Sequence, residues 1–412
     1  MRTFSPLIIL LVFLLSCEEE RVPLLESMMK ERGGVVSEVY QDAEKFRLQI
    51  QYTQINRDAE NQPSFHSHSF RLNKDEYFYP ASTVKFPAAV LALEKLKQLN
   101  IDGLDRETSL RIDSVYSGQS QVVADSSAQN YLPSIGNYIK KVMVVSDNDA
   151  FNRLYEFLGQ EALNQALWDK GLLDTKISHR LSIALSEAEN QHTNPFTFYE
   201  EEKEIYREEG KISQLSFLDG ESLLLGKGEM RGGERINQAK DFASKNRFPI
   251  EDQQRLLKSV FFPNSVMGSL GFDLSEEDRQ FLWKYMSILP RESRYPSYPD
   301  SSYYYDSYVK FFMFGDNQEK IPDHIRVFNK VGVAYGFLTD NAYIIDLEKG
   351  IEFMLTATIF VNENQIFNDD TYEYEEIGFP FLAELGRMIY EFEEKRQKKH
   401  RADLKNFRMI YN

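Results

Sequence analysis

From residue 46 to residue 53 apolar and polar positions alternate, Phe46, Leu48, Ile50 and Tyr52 against Arg47, Gln49, Gln51 and Thr53. A period of two puts one set on a buried face and the other outside, which predicts a half-buried strand. A polar turn at 56–63 leads into a second predicted strand at 64–72, so the pair reads as a hairpin. Upstream, 24–45 carries a helical pattern that Gly33-Gly34 can break. The spacing predicts a strong helix over 82–98 and further helices at 136–145, 149–158 and 160–170. Strands return at 342–346 and 351–361 with Lys349-Gly350 as their turn, and an amphipathic helix at 379–398 closes the pattern. The segment 199–325 has no clean period. It holds an acidic run at 200–209, a glycine-rich patch at 226–233 and a tyrosine-rich stretch at 295–314. No repeat of solenoid length is present. Strands near both ends with helices between them predict an α+β fold. An antiparallel sheet is flanked by the terminal helices, and a mainly helical domain is inserted.

Composition narrows the class. In 412 residues, 42% hydrophobic content supplies a core and excludes a disordered or polytopic membrane chain. A net charge of −16 repels phosphate backbones, so nucleic acid is not an expected partner. Cys17 is the only cysteine, which excludes an internal disulfide and a multi-cysteine zinc site. His66 and His68 lack a third ligand nearby in the sequence, and neither metal nor cofactor is expected.

Residues 1–17 read as an address. Arg2 precedes nine consecutive apolar residues, 7–15, too short a stretch to span a bilayer. Leu14-Leu15-Ser16-Cys17 resembles a bacterial lipobox, which implies lipidation of Cys17 and a lipid anchor in the cell envelope. Glu18-Glu19-Glu20 resembles the export signal of some surface lipoproteins.

Three short motifs carry candidate chemistry. Ser82-Thr83-Val84-Lys85 opens the strong helix, so serine and lysine share one face. A serine hydroxyl needs a base before it attacks, and an amine with a lowered pKa can serve. Ser146-Asp147-Asn148 follows the apolar run 142–145 and by itself reads as an ordinary helix cap. Lys330-Val331-Gly332 begins a predicted strand. No G-x-S-x-G elbow supports a Ser-His-Asp triad through His179 or His192.

In this order and context the three motifs are similar to the signature of class A serine β-lactamases and penicillin-binding proteins. The resemblance covers about residues 35–200 and 325–395 and extends to the strand and turn Lys330 to Ala342. It implies a catalytic domain with its sheet part in 18–80 and 325–412 and a helical part in 81–198 carrying nucleophile and S-D-N. Residues 199–324 are left as an insertion or extended helical region. It further implies that Ser82 is acylated, that Lys85 accepts or relays its proton, and that Ser146 passes a proton to the leaving nitrogen. Asn148 would hold the substrate amide and Lys330 its carboxylate. The N–H groups of Ser82 and Val333, beside Gly332, would form an oxyanion hole. The implied substrate is a small-molecule β-lactam or a peptidoglycan peptide.

The pattern also departs from the family. Val331 replaces a threonine whose hydroxyl would help bind a carboxylate. The family's deacylating Glu-x-x-x-Asn element has only Glu187-Ala188-Glu189-Asn190 as a counterpart, one residue short. Glu187 is the candidate water-activating base and Glu189 the substitute. Surface acids in a polar loop are the plain alternative. The 184 positions from Ser146 to Lys330 exceed what the family core needs. The first expectation is therefore a β-lactamase working through a Ser82 acyl-enzyme. A D-alanyl-D-alanine peptidase or related peptidoglycan enzyme is the alternative, and an inactive binding lipoprotein is the third reading.

Overall fold

A computed structural model describes residues 22–217, 221–265 and 271–411. The leader 1–17 and Cys17 lie outside the described residues. Five antiparallel strands form the main sheet, in the order Ile325–Ala334, Phe337–Asp346, Ile351–Phe360, Gln49–Arg57, Pro63–Phe70. Its centre joins the two ends of the chain, with Tyr52 opposite Leu355 and Ile50 opposite Ala357. The fold is α+β.

Helices cover both faces. Leu24–Arg32, Gly34–Gln41 and Phe379–Lys395 close one side, where Met29, Val39 and Leu385 meet Leu338, Phe353 and Leu355. Gly33, at φ 73°, breaks the first two helices apart where the sequence allowed it. On the other side Lys85–Leu99 and Asn148–Leu158 pack Val90, Leu93 and Leu154 into a second core with Tyr343 and Met354. Lys85–Leu99 is buried nearly all round, as a helix with so few polar positions must be.

The strand predicted to begin at 342 begins at Phe337. Its first half contains Thr339, Asp340 and Asn341, which break the apolar pattern but are buried and bonded. Thr339 donates to Thr358 Oγ1 at 2.9 Å, Asp340 accepts from Asn329 Nδ2 at 2.8 Å, and Asn341 donates to the Gln253 carbonyl at 3.0 Å. Buried polar side chains with partners are tolerated in a sheet, and a hydropathy pattern does not register them.

The segment 199–324 is built differently from the expected helical insertion. Its helix Ile250–Phe261 lies directly on the sheet, where Gln254 Nε2 donates to the Gln51 carbonyl at 2.9 Å and to Thr356 Oγ1 at 3.1 Å. The rest includes short strands. Phe196–Glu200 and Lys203–Glu208 join Ser109–Ile112 in a small antiparallel sheet, and Gly228–Arg231 pairs with Ile366–Phe367. Tyr303, Tyr304 and Tyr308 stack on one another at 4.8–5.7 Å and so satisfy much of their own apolar area.

Candidate active site

Ser82 sits in a single 3-10 turn, Ala81–Val84, that runs straight into the helix Lys85–Leu99. Ala81 is held at φ 46°, a strained conformation for a residue with a side chain. One turn beyond Ser82, Lys85 is fully buried. An ammonium there needs partners, and it has three. It donates to the Ser146 carbonyl, to Asn148 Oδ1 at 2.6 Å and to Ser146 Oγ at 3.2 Å.

Ser146-Asp147-Asn148 serves two purposes at once. Asp147 is the N-cap of Asn148–Leu158, its side chain accepting from the Ala150 N–H at 2.8 Å. The flanking side chains are thereby free to face Lys85. Ser146 itself is at φ 59°, which aims both its carbonyl and its hydroxyl at the lysines.

The third motif arrives on the free edge of the sheet, since Ile325–Ala334 is the outermost strand. Lys330 is 2% exposed and donates to Ser146 Oγ at 2.8 Å. The Ser146 hydroxyl thus lies between two amines. Gly332 lets the strand approach the nucleophile: a Cβ there would stand 2.4 Å from the Pro80 carbonyl and 3.2 Å from the Ser82 nitrogen. Tyr335 and Gly336 both have positive φ and form a two-residue hairpin turn closed by Ala334 opposite Phe337. That closing pair exchanges hydrogen bonds, so the next residue, Val333, turns its N–H to the free edge. Val331 points away and packs in the core under the terminal helices, giving the site no hydroxyl.

Burial dominates the electrostatics. It lowers the Lys85 ammonium from 10.5 to about 7 despite the nearby Asp147 carboxylate. Lys330 is also pushed well below its ordinary value, first by burial and then by Lys85. Behind it lies a buried chain that sequence reading missed. Lys310 donates to Asn329 Oδ1 at 2.7 Å, and Asn329 Nδ2 donates to Asp340. The Asp340 carboxyl is raised to about 6 by burial, even with the backbone N–H groups of Phe311 and Phe312 donating to it at 3.2 Å. Lys310 and Asn329 lie in no motif, and Asp340 lies in the stretch Lys330 to Ala342, where the resemblance implies no role for it.

The loop that follows is fastened from below. Glu156 lies between Arg153 at 3.0 Å and Arg180 at 2.9 Å, all three buried. Arg180 also holds the carbonyls of Glu189 and His192, and Asn152 exchanges two hydrogen bonds with the Leu181 backbone. This frame presents Ser182 to the site, where Asn148 Nδ2 donates to Ser182 Oγ at 2.8 Å. Glu187 is not there, which corrects the expectation. It begins the short helix Glu187–Gln191, accepts from the Phe217 N–H at 3.0 Å, and lines a separate cavity with His179 and Lys245. Glu189 closes a capping box with Ser186. The acids were placed by helix capping, which favours negative charge in a first turn, and not by chemistry at Ser82.

Ser82, Asn148 and Ser182 open onto a cleft of about 470 Å³. Val333, Ala334 and Tyr335 form one wall, and Tyr79 closes the end. The far rim is the segment from Asn368 to Tyr374, tied to the hairpin by the Gly336 N–H donating to the Tyr374 hydroxyl at 2.7 Å.

Residues 38–209 match the model of the Beta-lactamase enzyme family. Over this segment the chain is similar to that family. The matched segment contains Ser82, Lys85, Ser146 and Asn148. Among solved structures, an ancestral class A β-lactamase is 15% identical with a TM-score of 0.47, over 87% of this chain and 100% of that one. PBP-A is 15% identical with a TM-score of 0.46, over 85% and 91%. A β-lactamase from Xanthomonas campestris pv. campestris is 15% identical with a TM-score of 0.48, over 90% and 99%. No curated protein matches the chain significantly.

The loop frame has a measurable consequence. Glu156→Ala leaves Arg180 and Arg153 buried without their shared carboxylate, a loss of about 3–5 kcal/mol. Hydrogen exchange should then quicken across 178–192 before the sheet opens. Unchanged exchange there would show that Glu156 does not hold the loop.

Proposed function

We propose that this β-lactamase-like protein is a serine acyl-transfer enzyme in which Ser82 attacks an amide carbonyl, a strained lactam among them, and retains the acyl group. The observation that carries the reading is the Ser146 hydroxyl held between Lys85 at 3.2 Å and Lys330 at 2.8 Å beside Ser82. The neutral form of Lys85, which burial makes available by lowering the ammonium to about 7, takes the Ser82 proton as the Oγ–C bond forms. The N–H groups of Ser82 and Val333 receive the oxyanion. As the C–N bond breaks, Ser146 gives its proton to the leaving nitrogen and regains one from the lysine pair. Asn148 holds the substrate amide.

Release is the slow half. Hydrolysing an ester needs a base beside its carbonyl to activate water. The loop side chain facing Asn148 is a serine hydroxyl, and Glu187 belongs to another cavity. This supports the penicillin-binding mode, acylation followed by a long-lived adduct, over rapid β-lactam turnover. Val331, with no hydroxyl to offer a carboxylate, supports slow capture of ordinary β-lactams. For location we propose the cell envelope through a lipid on Cys17, a reading that rests on residues 1–17 alone.

Four outcomes follow from this reading. The rate of Ser82 acylation, followed by intact mass with a fluorescent penicillin, should rise with unit slope in log rate below about pH 7 and level off above it. The sign is set by Lys85, because only its neutral form accepts a proton and that fraction grows as pH rises through its pKa. Lys85→Met should slow labelling by about 10²–10⁴, and a flat profile in the native protein would remove Lys85 from the role. Ser182→Glu should shorten the adduct lifetime at least about tenfold by supplying a base; an unaltered lifetime would place the block elsewhere. Cys17→Ser should move the protein from the membrane to the soluble fraction of cells, and continued membrane association would end the lipid-anchor reading.

A further inference from the structure

The Ser82 cleft has an uneven chemical lining. Of the described residues that line it, Asp370 alone carries a formal charge, and it is exposed on the rim. The two lysines do not reach the walls: Lys85 is 0% exposed and Lys330 2% exposed beneath the floor. Both spend their N–H groups on Ser146, Asn148 and the Val331 carbonyl. Val331 is turned into the core. Among the described residues no arginine or lysine side chain lines the space a substrate would enter.

What lines it instead is aromatic. Tyr79 and Tyr335 meet edge to face at 5.1 Å at one end, and Tyr372 and Tyr374 lie 5.1 Å apart on the rim beside Asp370. Both rim hydroxyls are occupied by backbone, the Asn368 N–H donating to Tyr372 and the Gly336 N–H to Tyr374. Each hydroxyl keeps its own proton to donate, and each tyrosine also offers ring surface to a ligand. Electron-rich ring faces and a carboxylate together are favourable surroundings for a cation and repel an anion. The rim is also conformationally specified. Ala81, Ser182, Tyr335, Asn368 and Asp370 all hold positive φ around this one cleft, and such strain concentrates at functional sites.

We propose that Asp370, with Tyr372 and Tyr374, makes this site prefer an acyl donor bearing a cationic group over one bearing a carboxylate, penicillin being a slow donor. The proposal rests on the reading of Ser82 as the acylated nucleophile. It reverses the charge preference that the motif resemblance implies for Lys330. Asp370 is a specificity residue and takes no part in the bond changes.

Three matched 4-nitrophenyl esters of phenylacetic acid test it, differing only in a para substituent: trimethylammonium, carboxamide or carboxylate. In each, the Ser82 Oγ–C bond forms as the C–O bond to 4-nitrophenolate breaks, and the serine proton passes to Lys85. Intact mass identifies the adduct, 4-nitrophenolate absorbance gives the rate, and Ser82→Ala supplies the background. The ammonium ester should acylate Ser82 roughly tenfold or more faster than the carboxylate ester at low salt, with the amide between them and the gap narrowing as salt is added. Asp370→Asn, which keeps a side chain tolerant of positive φ, should bring the ratio near one. Ser82 labelling without preference, or with the carboxylate ester fastest, overturns this proposal and leaves the acyl-enzyme reading intact. A folded protein that takes no acyl group at Ser82 from any ester or from penicillin overturns both.

Discussion

Everything at this site depends on the burial of two amines against one hydroxyl. Lys85 and Lys330 both donate to Ser146 Oγ, and water reaches neither. Two full charges so placed are costly, and burial holds both ammonium groups below their ordinary values. That constraint gives two ordinary surface residue types the character that the proposed base and relay require. It also explains why strand, 3-10 turn and helix start must meet within a few ångströms. Gly332 against the Pro80 carbonyl is the tolerance that sets this distance. Any side chain there would push the sheet edge from Ser82 and let water in, and the amines would then return toward their ordinary values.

Much of this arrangement was legible in the sequence. Ser82-x-x-Lys85 on one helix face, Ser146-Asp147-Asn148 at a helix start and Lys330-x-Gly332 on a strand are each set by local geometry, and local geometry is what spacing encodes. The terminal hairpin and the helical middle followed from period alone. What stayed hidden depends on contacts between distant segments. Asp340 belonged to a stretch of family resemblance but had no role there, yet it anchors Asn329 and, through it, Lys310. The helix Ile250–Phe261 looked like part of an insertion and proved to be a layer of the core, because its bonds go to Gln51, Asn341 and Thr356.

Glu187 shows how a motif search misleads. An acid three residues before an asparagine resembled the family's element, and the chain is rich enough in acids to supply such matches freely. Capping explains the spacing. Ser186 starts a helix and Glu189 completes its box. Asn190 then turns inward, bonding the Ser186 carbonyl at 2.9 Å and the Arg180 N–H at 2.9 Å. The asparagine is structural, the acids serve the helix, and the residue delivered to the site is Ser182, which no pattern flagged.

The consequence is that the two halves of the proposed acyl-transfer cycle fall to different parts of this fold. Attack on a carbonyl uses the deep cluster, which the sheet edge and two helices hold rigidly. Release uses whatever the 178–192 loop presents, and this loop is secured by Arg180, Glu156 and Asn152 whether Ser182 or another side chain stands at its tip. Substrate choice belongs to a third set, the tyrosines and Asp370 of the far rim, which make no hydrogen bond to either lysine. The sets meet at two bonds, Asn148 to Ser182 and Gly336 to Tyr374, through which a change in the loop or rim can reach the cluster. The buried lysine pair fixes what kind of reaction is possible, while the loop and rim decide how long the product stays and which carbonyl arrives.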